Sequence, residues 1–285
     1  MKRVRPVLLI LLLLAATTVE AAKIRITVES PGGIEQYIHL SRPVNLAPDR
    51  PVVFVMHGMK RNADEYRDQW HDLADKHDFL LVVPEFSDHD FPDSEAYNLG
   101  NTFDGQGGRR PQAEWSFSAI EPIFDEVRQR FGMTVEGYAI YGHSAGAQFV
   151  HRFLFHVPNA RVTRAVAANA GWYTMPDLAT GYPYGLKDSA VTREMLEQAM
   201  QRPLTILLGE DDTDPEHPSL RRTPEALAQG LHRFARGQAF FAAGRAASLD
   251  LGVPFAWQLA TVPGADHDNR LMAPAAIPYL LDAKP

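Results

Sequence analysis

Apolar and polar positions alternate over residues 23–29, with Ile24, Ile26 and Val28 on one side and Arg25, Thr27 and Glu29 on the other. That period of two predicts a strand with one buried face. Residues 36–40 read as its hairpin partner across Pro31-Gly32-Gly33. The pattern then changes, because residues 51–56 and 79–84 are continuous apolar runs rich in Val, Leu and Phe. Such runs suit parallel strands buried on both faces. Residues 63–77 between them have helical character. Residues 86–115 are rich in Gly, Asp and Asn and lack periodicity, so they are expected to form an irregular excursion of the kind that is commonly functional or unstructured. Phe117, Ile120, Phe124 and Val127 share one face of a helix expected over 115–131. Beyond it the chain predicts strands at 137–141, 164–170, 204–208 and 255–262. Helices are expected at 147–154 and from 224 to about 241, with 171–200 as a linking stretch. Strands alternating with helices predict an α/β domain whose mostly parallel sheet is covered on both faces.

Composition narrows the class. Met1-Lys2-Arg3-Val4-Arg5-Pro6 is basic and residues 7–16 are uninterruptedly apolar, the form of an export signal, with Val19-Glu20-Ala21 as a cleavage site. The apolar run is shorter than the ~20 residues that span a bilayer. The expectation is therefore a signal peptide over 1–21, no stable membrane anchor after its cleavage, a periplasmic or secreted product, and one catalytic domain over 22–285 without a large cap domain. Cysteine is absent, so no disulfide framework contributes. The formal net charge is -7 and the basic residues are scattered, which disfavours nucleic acid as a partner.

The chemistry centres on Gly142-His143-Ser144-Ala145-Gly146, a G-x-S-x-G pentapeptide between an apolar strand and a helix. A strand that turns sharply into a helix brings its backbone close to neighbouring segments, so glycines leave room while Ser144 is held at the tip as a candidate nucleophile. A serine hydroxyl needs a base. Of the 11 histidines, His267 lies in Pro263-Gly264-Ala265-Asp266-His267-Asp268, just beyond the last expected strand, and is the favoured base. His143 occupies a neighbouring position expected to point away from substrate. The acid is expected after the strand at 204–208, where Gly209-Glu210-Asp211-Asp212-Thr213-Asp214 supplies several carboxylates. Asp212 is favoured over Asp211 and Asp214, and a divalent-cation loop is the competing reading of this acidic turn. The chain order Ser144, Asp212, His267 is that of the α/β-hydrolase fold. His57-Gly58 follows the strand at 51–56, where an oxyanion loop should begin, so the backbone N–H groups of Met59 and Ala145 are the expected donors. Trp172 and Tyr173 are expected to line the substrate pocket, and residues 97–101 are a candidate rim.

His57-Gly58-Met59-Lys60-Arg61-Asn62-Ala63, the Gly142–Gly146 pentapeptide and Pro263-Gly264-Ala265-Asp266-His267 resemble the motifs of exported α/β hydrolases related to polyhydroxybutyrate depolymerases and feruloyl esterases. The resemblance implies an α/β-hydrolase fold and a serine esterase that forms an acyl-enzyme on a small or oligomeric ester, without cofactor or metal. A serine peptidase of the same fold is the second reading. A non-catalytic binding protein that kept the fold is a third, from another class.

Overall fold

The alternation at the start of the chain builds a hairpin in which β1 (Ala22–Ser30) pairs antiparallel with β2 (Ile34–Arg42). In the computed structural model, which describes residues 21–30 and 32–281, this hairpin is the edge of one eight-stranded sheet. The leader expected over 1–21 falls, but for Ala21, outside the described residues. The other strands are β3 (Val52–Met56), β4 (Leu80–Pro84), β5 (Tyr138–His143), β6 (Val162–Ala168), β7 (Leu204–Gly209) and β8 (Trp257–Val262). Their order is β1-β2-β4-β3-β5-β6-β7-β8, and every pairing from β4 to β8 is parallel.

The continuous apolar runs are divided between two cores by the period of two. Val52, Phe54 and Met56 of β3 face one core, while Val53 and Val55 face the other. The first core is covered by α3 (Ile120–Phe131), α4 (Ala145–His156), α5 (Arg193–Met200) and α7 (Arg233–Leu251). The second is covered by α1 (Ala63–His77) and α8 (Asn269–Leu280), through Trp70, Ala74, Met272 and Ile277. Helices thus cover both faces of a mostly parallel sheet, without a large cap domain among the described residues. No helix among them is long and apolar enough to cross a membrane.

Four departures from the sequence reading have local causes. The helix expected from 224 to about 241 is two: α6 (Pro224–Gln229) stops at Gly230, whose φ of 147° and close approach to Ala235 break the path, and α7 then runs on to Leu251. Within 171–200, α5 begins where the Thr192 hydroxyl accepts from the Met195 N–H as a cap. The C-terminal helix α8 carries Pro274 and Pro278, which hid it, yet it packs Met272, Ala273, Ala276 and Ile277 onto the sheet. Finally, the excursion at 86–115 is ordered by the short helix α2 (Asp93–Ala96) and tied to the loop after β3, where Arg61 donates to the Phe86 carbonyl and Tyr97 donates to that of His57.

Candidate active site

Ser144 sits between β5 and α4 with φ 58° and ψ -115°, a conformation that costs a non-glycine residue about 1–3 kcal/mol. The packing that holds it is glycine-dependent. A Cβ on Gly142 would lie 2.1 Å from the Gly146 carbonyl oxygen, and one on Gly146 would lie 2.0 Å from that of Met56. The Ser144 N–H donates to the Ala168 carbonyl at the end of β6, which fixes the tip over the sheet's carboxyl edge.

The chain beyond β8 brings His267 to that tip. Its Nε2 lies 2.9 Å from Ser144 Oγ and its Nδ1 lies 2.7 Å from Asp212 Oδ2. Asp212 is buried, whereas Asp211 and Asp214 are exposed, so of the three expected acids it is Asp212 that meets the imidazole. Burial pushes the Asp212 carboxyl up. The hydrogen bond and charge of His267, with the charge of Arg233, outweigh burial and hold it below the ordinary carboxylate range. Gly209 lets the two loops meet, since a Cβ there would stand 2.4 Å from the Ala265 carbonyl oxygen. Among the described residues, no group of three or more His, Asp or Glu side chains is placed to hold a metal.

His143 lies behind the imidazole of His267, with ring centroids 4.7 Å apart, and its Nδ1 meets the Tyr66 hydroxyl at 3.0 Å. Burial, then the neighbouring charges of His267 and Arg233, hold it well below the usual histidine range, so it stays neutral.

The loop after β3 is braced from beneath. The Phe86 N–H can only donate, so His57 Nε2 accepts it and Nδ1–H is left to donate to the Gly58 carbonyl. Burial holds the His57 pKa down at about 3. Arg61, at φ 58°, donates to the carbonyls of Phe86, Phe91 and Asp93 and lies over the Tyr97 ring. Above this base the Met59 N–H meets no protein acceptor among the described residues, and Ala145 opens α4, where N–H groups lack intrahelical partners. Met59 and Ser144 line the same two clefts, and Ala145 is the residue next to Ser144.

Two clefts meet at Ser144 and Met59. One, of about 450 Å³, includes Trp172, Gln148, Asn98 and Arg221 in its wall. The other, of about 600 Å³, includes His267, Tyr66, Asn62 and Arg270. Trp172 thus lines the first cleft, with the guanidinium groups of Arg152 and Arg221 over its ring. Tyr173 does not. It is fully buried and stacks on Phe240 of α7 at 4.4 Å. Within the expected rim, Asn98 lines the first cleft and its amide donates to Gln148 Oε1.

Two residues escaped the sequence reading. Asn169, at φ 49° after β6, accepts from the Gly209 N–H and donates to the Asp266 carbonyl, and so joins the acid and histidine loops. Arg233 donates to Asp212 Oδ1 from the first position of α7. The helix expected from 224 to about 241 placed Arg233 in its interior, so the sequence carried no signal of this partner; the break at Gly230 makes it helix-initial.

No protein-family model matches the chain. Among curated proteins it is 26% identical over 129 residues to a bifunctional acetylxylan esterase/xylanase of Neocallimastix patriciarum; this covers 45% of the chain and 17% of that longer protein. Among solved structures, poly(aspartic acid) hydrolase-1 from Sphingomonas sp. KT-1 is 48% identical with a TM-score of 0.88, covering 92% of this chain and 98% of that one. LpqC, a poly(3-hydroxybutyrate) depolymerase from Bordetella parapertussis, is 36% identical with a TM-score of 0.86 and 93% coverage of both chains. The chain belongs to the α/β hydrolases of the polyhydroxybutyrate depolymerase-like family. In this depolymerase-like protein the roof over Ser144 comes from loops, residues 217–221 and the excursion at 86–115, which contribute Pro218, Ser219 and Asn98 to the cleft walls.

Proposed function

We propose that the protein is an exported serine hydrolase that cleaves carboxylic esters through an acyl-enzyme on Ser144. The observation that carries this reading is the unbroken hydrogen-bonded line from Asp212 through His267 to Ser144 Oγ. In the proposed sequence, Ser144 Oγ attacks the acyl carbon while His267 Nε2 takes its proton, and Asp212 holds the resulting imidazolium. The Met59 and Ala145 N–H groups receive the oxyanion. His267 then returns the proton to the leaving alcohol, and water, deprotonated by the same imidazole, releases the acid and restores Ser144. No step calls on a cofactor.

The direction of the substrate follows from this scheme. The proton must pass from His267 to the leaving group, so the alcohol portion belongs in the cleft that His267 lines, and the acyl portion in the cleft of Trp172 and Gln148. Both clefts are open to solvent, which suits a small ester or an oligomeric one extending past the nucleophile on both sides. The basic, apolar leader over 1–21 supports export to the periplasm or beyond.

A second reading, amide cleavage with the same residues, is favoured by one observation: the 48% identical relative is named for poly(aspartic acid), a polyamide. A panel of p-nitrophenyl acetate and butyrate, methyl ferulate, oligomers of 3-hydroxybutyrate, an aminoacyl p-nitroanilide and oligoaspartate decides between them. The expected result is ester turnover that vanishes in Ser144→Ala. Amide turnover exceeding ester turnover promotes the second reading, and ester turnover surviving Ser144→Ala overturns the mechanism.

A further inference from the structure

Arg233 is one of the most deeply buried cations of the protein, with its side chain 1% exposed, and its single guanidinium reaches two parts of the site. Nη1 donates to Asp212 Oδ1 at 3.1 Å, leaving Oδ2 for His267. Nη2 donates to His217 Nδ1 at 3.2 Å and to Ser219 Oγ at 2.9 Å. The backbone repeats the attachment, because the adjacent Phe234 N–H donates to the Asp212 carbonyl at 3.2 Å. An arginine only donates, so His217 Nδ1 is an acceptor and its ring is neutral. That ring stands edge-on to His267, with centroids 5.7 Å apart. Pro218 and Ser219 border both clefts.

We infer that Arg233 is the positioning residue of the site: its fork aims the Asp212 carboxylate at His267 and ties the 217–219 loop over the point where the clefts meet. The inference rests on the roles proposed above for Ser144, His267 and Asp212. A carboxylate whose second oxygen is held by a guanidinium has one orientation left for the imidazole. Removing Arg233 frees Asp212 Oδ1 and unties His217 and Ser219, so neither the carboxylate nor the loop keeps its one orientation.

The test is kcat and KM with a p-nitrophenyl ester for the wild type, Arg233→Met, Arg233→Gln and Arg233→Lys. Methionine fills the volume, glutamine keeps a donor without charge, and lysine keeps charge without the fork. Each should lower kcat by about 10- to 100-fold, by more than it raises KM, because a misaimed base slows the chemical step. A kcat within about twofold of wild type in any of the three that folds, or a loss carried by KM alone, with turnover abolished by Ser144→Ala, overturns the role of Arg233 alone. Turnover that survives Ser144→Ala overturns it together with the proposed mechanism.

Discussion

The Tyr97 hydroxyl donates to the His57 carbonyl at 2.8 Å, a buried bond between the long excursion at 86–115 and the loop that ends β3. The two rings are also stacked, with centroids 4.8 Å apart. Because Met59 follows two residues later, the excursion supports the amide proposed to receive the oxyanion.

Tyr97→Phe keeps the stacking and removes only this bond. It leaves a buried carbonyl without its partner, a change worth about 1–3 kcal/mol of stability. The accompanying loss in kcat should be about tenfold, with KM little altered, since a loosened oxyanion donor weakens transition-state binding. Urea denaturation with steady-state kinetics checks both. A full loss of stability with unchanged kcat would separate the excursion from the site.

Asp212→Asn should lower kcat by roughly 10⁴-fold, as expected where the acid orients the base. Asp211→Asn and Asp214→Asn change exposed side chains and should stay within about threefold, the range of neutral surface substitutions. Comparable losses at Asp211 would move the acid one residue along the loop.

Trp172→Ala removes the aromatic plate between Arg152 and Arg221. The cavity and the exposed buried cation should cost about 3–5 kcal/mol. KM for butyrate esters should rise more than that for acetate esters, because Trp172 walls the cleft assigned to the acyl group. An equal rise for both would place the acyl group in the other cleft.

Acid should unfold the protein through its buried histidines. Burial first, against a hydrogen bond to Gly58, depresses His57 from 6.5 to about 3, and burial depresses His156 to about 4. His151, buried beside Arg152, and His143, buried behind His267, are also shifted down. A depressed histidine is charged in the unfolded chain and neutral in the native one between its two pKa values. Stability is therefore full above about pH 6.5 and falls as pH drops toward 4 and 3, at about 1.4 kcal/mol per pH unit for each histidine. Urea midpoints at pH 7.5, 6 and 5 measure this slope. A flat dependence would mean that the four rings are already charged or are solvated.

The sheet was legible because its strands are continuous apolar runs whose alternate residues face two cores, as Val53 and Phe54 do. Ser144, Asp212 and His267 were legible for a different reason: each follows directly on a strand that the pattern marked, so the topology gathers them at one edge. What sequence could not resolve was direction and long-range pairing. Trp172 and Tyr173 are adjacent and both aromatic, and only the packing of Phe240 decides which turns inward. Arg233 is a helix-terminal cation whose partner lies 21 residues away, and Asn169 joins loops 40 and 97 residues distant. The helix α8 was hidden by two prolines that tertiary packing tolerates.

The most direct test of the central claim is intact-mass spectrometry after treatment with a fluorophosphonate, followed by peptide mapping. The account predicts a single adduct on the wild type, carried by the peptide containing Ser144, and none on Ser144→Ala. An adduct of equal extent on Ser144→Ala, or none on active wild-type enzyme, would contradict it.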